Sequence, residues 1–395
     1  MNRRLPLIQP EIRLALTILI LLLWGGFTIY SSESMSNAGG SESFGWRQLC
    51  WGGIGMLFFL GAIQIHFERL YAYSWYLAVV VLAPLLLVWC CGIRINGMSG
   101  WYNLGGMFFQ PSEIAKPFFL LLLCRLAATA KNAGQAAWRL ATALLVFAAP
   151  LLLQPDFGTL LVYGAATVTV FWIFAGKLKW LILGLLTGGP LLLAAALSQQ
   201  YILRRFSGYF APESDPFGAG WHTLQLRYAI AGGGLTGSGL GHAVWSNSYL
   251  PYSYCDSAFA AMTETTGAIG GILVIALFLA IAVTALPCGS RQSDPIRRGF
   301  IYCGSIMIVI QAFIHISVNV TLFPVTGLTC PFISYGGSSL TGTLLLVGMM
   351  FSAMWHRSPA APKAMSYAAV TVSLLCRQSA IVHSERYCNR QPVGE

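Results

Sequence analysis

Charge is what this sequence has least of. Only 9% of its 395 residues are Asp, Glu, Lys or Arg, while 56% are hydrophobic, and the mean hydropathy is +0.67. A soluble domain carries about a quarter of its residues charged, so a soluble globular class is excluded and a polytopic membrane protein remains. Acids are scarcer than bases, 13 against 23, for a net charge of +10. That excess would suit a nucleic-acid binder only if it formed a basic patch on a soluble face. Here Lys and Arg sit in short segments between apolar runs, so no nucleic acid is expected as a partner. The 10 cysteines include no CxxC and no Cys/His cluster at zinc spacing, which removes the usual sign of a metal site. Cys50, Cys255 and Cys330 lie at or near the outer segments, but spacing alone does not bring two of them within bridging distance.

What is abundant is the apolar run of membrane-crossing length, about 17 to 25 residues. Such runs occur near 13–30, 49–65, 74–93, 112–130, 137–153, 158–175, 178–197, 260–286, 299–322 and 337–355. The expected fold class is all-α, a polytopic membrane protein of ten transmembrane helices with a long outer loop, 198–259, between helices 7 and 8. Ten crossings put both termini on one side. Of the 23 Lys and Arg, only Arg47, Arg94, Lys116, Arg204, Arg205 and Arg227 fall outside or at span mouths, so both termini are expected in the cytoplasm. The start MNRR followed by an apolar run has the form of a signal peptide, but nine further spans identify it as a first transmembrane helix. The expected layout is a cytoplasmic N-terminus at 1–12, a membrane domain at 13–355 and a cytoplasmic tail at 356–395, whose apolar stretch 365–375 is too short to cross.

Acids within such a chain need a partner or a task, because an ionised group at the bilayer centre costs at least ~2.5 kcal/mol. The stretch YLPYSYCDSAFAAMTETTGAIG (249–270) carries Asp256 just ahead of an apolar run and Glu264 within it. Asp256 has two readings here, an N-cap for the following helix or chemistry at the membrane surface. Glu113 and Lys116, in FFQPSEIAK (108–116), stand at i,i+3 on one helical face where they can pair. Asp156, in QPDFGT (154–159), fits a plain N-cap at least as well as a functional role.

The segment before Asp256 is rich in aromatics, among them Phe206, Tyr209, Phe210, Trp221, Tyr228 and Trp245, too many for a solvated tether. Its Gly-rich stretch, 231–241, holds a literal GxGxxG at Gly232 to Gly237. No strand–turn–helix unit surrounds it, so a dinucleotide site is rejected in favour of a tight turn whose amides could approach a phosphate. PVTGLTCPFISYGGSSL (324–340) is too polar to face lipid and reads as a re-entrant or groove-lining segment.

FQPSEIAK, QPDFGT, GGGLTGSGLG, YLP…D…FA…E…G and PVTGLTCPFISYGGSSL stand in the order and spacing of the SEDS family (shape, elongation, division and sporulation; the FtsW, RodA and SpoVE type), and the resemblance covers nearly all of 10–355. It implies a peptidoglycan glycosyltransferase that polymerises lipid II, the undecaprenyl-pyrophosphate-linked disaccharide peptide, onto a growing glycan strand. It also implies the bacterial cytoplasmic membrane as location and a class B penicillin-binding protein, a transpeptidase, as partner. By the same resemblance Asp256 is the catalytic base and Arg205 a phosphate holder. Lys116, oriented by Glu113, is a second phosphate candidate, and Asp156, Gln225, Glu264 and Ser338 are further substrate-binding candidates. No metal-ligand motif accompanies them, although the pyrophosphate leaves room for a divalent cation. The alternative is a lipid-linked precursor flippase or transporter, which interrupted spans and intramembrane charges also permit. Leu328-Thr329 after Gly327 looks more like the division branch than the elongation branch.

The chain also departs from the family pattern. Tyr252, Tyr254, Cys255 and Ser257 stand where Glu, His, Thr and an aromatic are usual, Thr265 where a second Glu is, and His315 where Asn is common. Asp256 and Glu264 are kept.

Overall fold

The computed structural model describes residues 9–33, 44–95, 98–105 and 107–355. The expected tail at 356–395 and residues 1–8 of the N-terminal segment lie outside the described residues. Apolar sequence becomes long helix: α1 (Pro10–Glu33), α2 (Phe44–Gln64), a short α3 (Phe67–Ala72), α4 (Ser74–Cys91), α5 (Pro111–Ala128), α6 (Ala133–Leu153), α7 (Phe157–Phe174) and α8 (Leu178–Leu197). After three small helices, α9 (Gln200–Phe210), α10 (Trp221–Gly233) and α11 (Val244–Ser248), come α12 (Ala258–Ser290), α13 (Pro295–Asn319) and α14 (Gly337–Trp355). Among the described residues 7 helices, α1, α4, α6, α7, α12, α13 and α14, are long and apolar enough to cross a membrane. Helices α2, α5 and α8 fall on the remaining apolar runs, and α5 carries the charges Glu113, Lys116 and Arg125.

Helix starts follow local chemistry. Asn132, Asp156 and Asp294 each accept a backbone N–H of the first turn they precede, and Pro111 and Pro295 open α5 and α13 where no N–H is needed. Helix α14 is the axis of the bundle. Every side chain from Gly337 to Met354 is buried, and α2, α5 and α13 pack around it. Small residues make that possible: a Cβ on Gly342 would stand 2.4 Å from the Glu113 carbonyl oxygen, so α14 and α5 meet backbone to backbone.

Two features correct the all-helical expectation. Between α4 and α5 runs a small antiparallel sheet, β1 (Ile93–Ile95), β2 (Met98–Leu104) and β3 (Met107–Phe109), in the order β1-β2-β3. Tyr102 pairs with Phe109, and the Tyr102 hydroxyl donates to the Pro84 carbonyl, tying the sheet to the interior of α4. The sheet's outer strands, β1 and β3, are three residues each, too short to show an alternating pattern in sequence. The second correction is that α12 breaks at Gly267, whose φ of 74° and ψ of −179° are not helical. The Gly-rich turn docks there: Ser238 and Gly239 donate to the carbonyls of Glu264 and Thr265, while Ala268 and Ile269 donate to those of Gly234 and Leu235. A Cβ on Gly267 would lie 2.2 Å from Leu235 O, so only glycine fits the break. The amides of Gly237, Ser238 and Gly239 are all bonded to backbone carbonyls of the chain, which leaves none of these three for a phosphate.

Candidate functional site

The segment joining α13 to α14, 320–336, is irregular backbone that Arg205 and Asp256 both reach. Leu328 and Cys330 to Ser334 are buried in protein, the condition under which irregular chain survives within a membrane domain. Arg205 Nη1, from α9, donates to Val325 O at 2.7 Å. From α13, His315 Nδ1 donates to Leu328 O at 2.7 Å and Gln311 Nε2 donates to Thr329 O at 3.1 Å. Ser334 accepts from Cys330 N at 2.9 Å and donates to Cys255 O at 2.7 Å, and Tyr335 N donates to Tyr254 O at 2.7 Å. The 250–257 turn is thereby fastened to the 320–336 segment.

Asp256 stands at the head of α12 without capping it. The residue before the first helical turn is Ser257, and the N–H of Ala260 is taken instead by Asn319 Oδ1 at 3.0 Å. Asn319 Nδ2 donates to the Asp256 carbonyl at 3.0 Å, so the end of α13 holds both the turn and the helix start. The Asp256 carboxylate is half-buried and accepts from the Cys255 thiol, Sγ to Oδ1, at 2.9 Å. A side-chain carbon built on the exposed Gly327 would lie 3.6 Å from Asp256 Oδ2 and 4.0 Å from Arg205 Nη2. Carboxylate and guanidinium therefore flank one open point, a base and a cation side by side.

His222, on α10, is the member that motif reading missed. Its Nε2 lies 2.8 Å from Ser257 Oγ, and Ser257 Oγ donates its own proton to Pro251 O at 2.7 Å. The hydroxyl must therefore accept from His222 Nε2–H, which leaves Nδ1 as the titrating nitrogen. Burial pushes the His222 pKa down, against the upward pull of Asp256 and together with the charge of Arg205. Burial, then the neighbouring Asp256, pushes the Cys255 thiol well up, and Tyr254 is pushed up to about 12 by burial first, with Cys255, Tyr252, Asp256 and Tyr335 adding to it. Cys255 and Cys330 are free thiols.

A second group lies inside the bundle. Glu113 and Lys116 are each only 4% exposed and pair at 2.7 Å. Lys116 Nζ donates to both Glu113 oxygens at 2.7 Å and to Gln311 Oε1 at 2.9 Å. An ammonium has three N–H bonds, and all three are accounted for, so Lys116 has none left for a phosphate.

Gln110 collects two more candidates: its N–H donates to Ser338 Oγ at 2.8 Å and its Nε2 to Asp156 Oδ2 at 3.0 Å. Asp156 Oδ1 accepts the Thr159 N–H at 3.0 Å as an N-cap. Ser338 and Asp156 thus join α14, α5 and α7.

Glu264, 2% exposed, accepts from Trp245 N at 2.8 Å, from Ser246 N at 2.7 Å and from the Ser246 hydroxyl. Both of its oxygens anchor α11 to α12, which places it in the scaffold. Gln225 is buried on α10 with its Oε1 unpaired. Of the residues singled out in sequence, the structure brings Asp256 and Arg205 together at an open mouth and sets the others in packing or in bridges. Among the described residues no group of three or more His, Cys, Asp or Glu gathers as a metal site.

A bundle of apolar helices, with a carboxylate at the head of α12 and a guanidinium on α9 flanking one point, defines an integral membrane protein with a polar site. Residues 12–358 match the family described as Cell cycle protein, FtsW/RodA/SpoVE, and the chain belongs to that family. It is 34% identical over 355 residues to stage V sporulation protein E of Bacillus subtilis, covering 87% of this chain and 96% of that protein. It is 32% identical over 354 residues to the probable peptidoglycan glycosyltransferase FtsW of Idiomarina loihiensis, covering 86% of this chain and 85% of that one. Among solved structures it resembles a chain of a peptidoglycan synthase complex that coordinates polymerization and crosslinking, with a TM-score of 0.73, 24% identity and coverage of 88% and 98%. The rod shape determining protein RodA of Thermus thermophilus follows with a TM-score of 0.64, 24% identity and coverage of 88% and 97%.

Proposed function

We propose that this chain is a peptidoglycan glycosyltransferase that polymerises lipid II, with Asp256 as base and Arg205 on the pyrophosphate. The observation carrying this reading is the Asp256 carboxylate itself, present at a helix start it does not cap and facing the same open point as Arg205. Chain growth requires a sugar 4-hydroxyl to attack an anomeric carbon while undecaprenyl pyrophosphate departs. Asp256 takes the hydroxyl proton as the C–O bond forms. The guanidinium of Arg205 meets the charge that develops on the departing pyrophosphate. Loss of either group leaves the other without its half of the reaction.

In this reading α2, α5 and α8 also cross, giving ten spans across the cytoplasmic membrane, with both termini in the cytoplasm and α9 to α11 on the outer face. The layout is then 1–12, a membrane domain at 13–355 and a tail at 356–395. The relatives named FtsW and the Leu328-Thr329 pair favour division over elongation, with a class B transpeptidase as partner.

The test is incubation of purified protein and its partner with lipid II, reading glycan strands on a gel. Asp256→Asn keeps size and hydrogen bonding and removes basicity, so strand formation should vanish while insertion and partner binding persist. Residual activity within about tenfold of wild type, a barrier change below ~1.4 kcal/mol, would reject Asp256 as the base.

A further inference from the structure

We infer that Cys255 is a positioning residue for Asp256, its thiol holding the carboxylate in the rotamer that faces Arg205. The inference rests on Asp256 being the base. Sγ lies 2.9 Å from Oδ1, a short contact for sulfur, and the backbone around it is pinned on both sides. Cys255 N donates to Tyr252 O at 2.9 Å, and Cys255 O accepts from Ser334 Oγ at 2.7 Å. The turn is sharpened by Tyr252, which sits at φ 51°. With its own backbone fixed and its neighbour's carbonyl held by Asn319, the thiol has little freedom to leave the carboxylate.

A donor to an ionised carboxylate favours the ionised form. A thiol is a weak donor where a hydroxyl is a strong one, so this site holds its base more loosely than a hydroxyl would. The other groups facing Asp256 are Arg205 from α9, His222 from α10, His315 from α13 and Tyr254 from the same turn. Of these only Tyr254 also feels Cys255, and it is held far above the acidic range by burial. The base works ionised, so activity falls on the acidic side of the pH profile. Removing the donor therefore moves that fall to higher pH, and a hydroxyl donor moves it lower.

The experiment measures kcat against pH for lipid II polymerisation by full-length wild type, Cys255→Ala and Cys255→Ser, each with the partner. Cys255→Ala should shift the acidic limb upward by about half a pH unit or more, and Cys255→Ser should shift it downward, with KM unchanged in both. A packing role alone would lower kcat without moving the limb. The contact is read separately by N-ethylmaleimide labelling of the peptide carrying Cys255, so that the exposed Cys50, Cys90 and Cys91 do not interfere. In Asp256→Asn the thiol loses the adjacent negative charge and should label about tenfold faster.

Unchanged labelling would overturn the contact, even if Cys255→Ala fails to fold. Faster labelling with an unmoved limb in both Cys255 variants would overturn the positioning role. An active Asp256→Asn that labels faster would sink the base assignment, and the inference with it, while leaving the contact established.

Discussion

Losing one charge of the Glu113–Lys116 pair should harm the protein more than losing both. Each side chain is 4% exposed, and the ammonium donates to both oxygens of Glu113 and to Gln311. Lys116→Met leaves a buried carboxylate without the ammonium that met both its oxygens, and Glu113→Gln leaves a buried ammonium with amide partners. Breaking a buried pair from one side costs about 3–5 kcal/mol, whereas replacing both members by neutral groups is often nearly neutral. If the double variant costs about 1 kcal/mol, the two singles together overshoot it by about 5–9 kcal/mol, beyond the roughly 0.5–3 kcal/mol usual for contacting residues. The measurement is equilibrium unfolding in mixed micelles by SDS titration of all four proteins, with polymerisation assayed in parallel. Because no N–H of Lys116 remains for a phosphate, the double variant should recover both fold and strand synthesis. A coupling below about 0.5 kcal/mol, or a stable double variant without activity, would refute this and return Lys116 to the substrate.

Glu264→Gln should destabilise the α11–α12 junction by about 1–3 kcal/mol, because an amide cannot accept from Trp245 N and from both Ser246 donors at once. Faster proteolysis between 234 and 250 checks it, and an unchanged cleavage rate argues against an anchoring role. Burial depresses the His222 pKa, so the fold holds His222 neutral; that stability is complete above the unfolded value of about 6.5 and drains away as pH falls below it. Melting should therefore weaken between pH 7.5 and 5 in wild type, and less in His222→Gln, which keeps a donor for Ser257; equal slopes would remove His222 as the cause. A fluorescent fusion should form a septal band and depletion should give filaments, whereas lateral patches with rounding would assign the chain to elongation.

The long helices were legible because apolar length is a direct physical requirement of the bilayer. All the apolar runs read from sequence meet a helix within a few residues, and Asp156 was legible as a cap because capping depends only on the next three residues. Less visible was whatever depends on pairing across distance. The sheet at 93–109 needs partners for β2 that the two three-residue outer strands cannot announce. The break at Gly267 is caused by a turn some thirty residues earlier, around Leu235 and Gly237, which takes the space a side chain would need. Glu264 looked like a second intramembrane acid until α11 supplied the amides it accepts from. His222 carried no motif, and the signal that pointed to it was indirect: a serine at 257, where an aromatic was anticipated, left a hydroxyl that needed a partner.

That last case generalises to the other departures from the family pattern. Read along the chain, Tyr252, Tyr254, Cys255, Ser257 and His315 look like erosion of the motif around Asp256, and erosion would leave polar groups unpaired or the turn loose. In space each of them carries a defined contact or backbone role. Tyr252 takes the left-handed φ that closes the turn and accepts from Cys255 N and Ser257 N. The ring of Tyr254 packs edge-on against Tyr335, with centroids 5.8 Å apart, and Cys255 reaches Asp256. Ser257 joins His222 to Pro251, while His315 holds Leu328 and stands beside Asn319, which clamps Asp256. Substitutions that had merely decayed would not satisfy one another's hydrogen bonds, because a buried group left without its partner costs about 1–3 kcal/mol. The residues that depart from the pattern around Asp256 pair with one another and with nearby backbone, and the carboxylate at their centre is kept, as is Glu264 on α12.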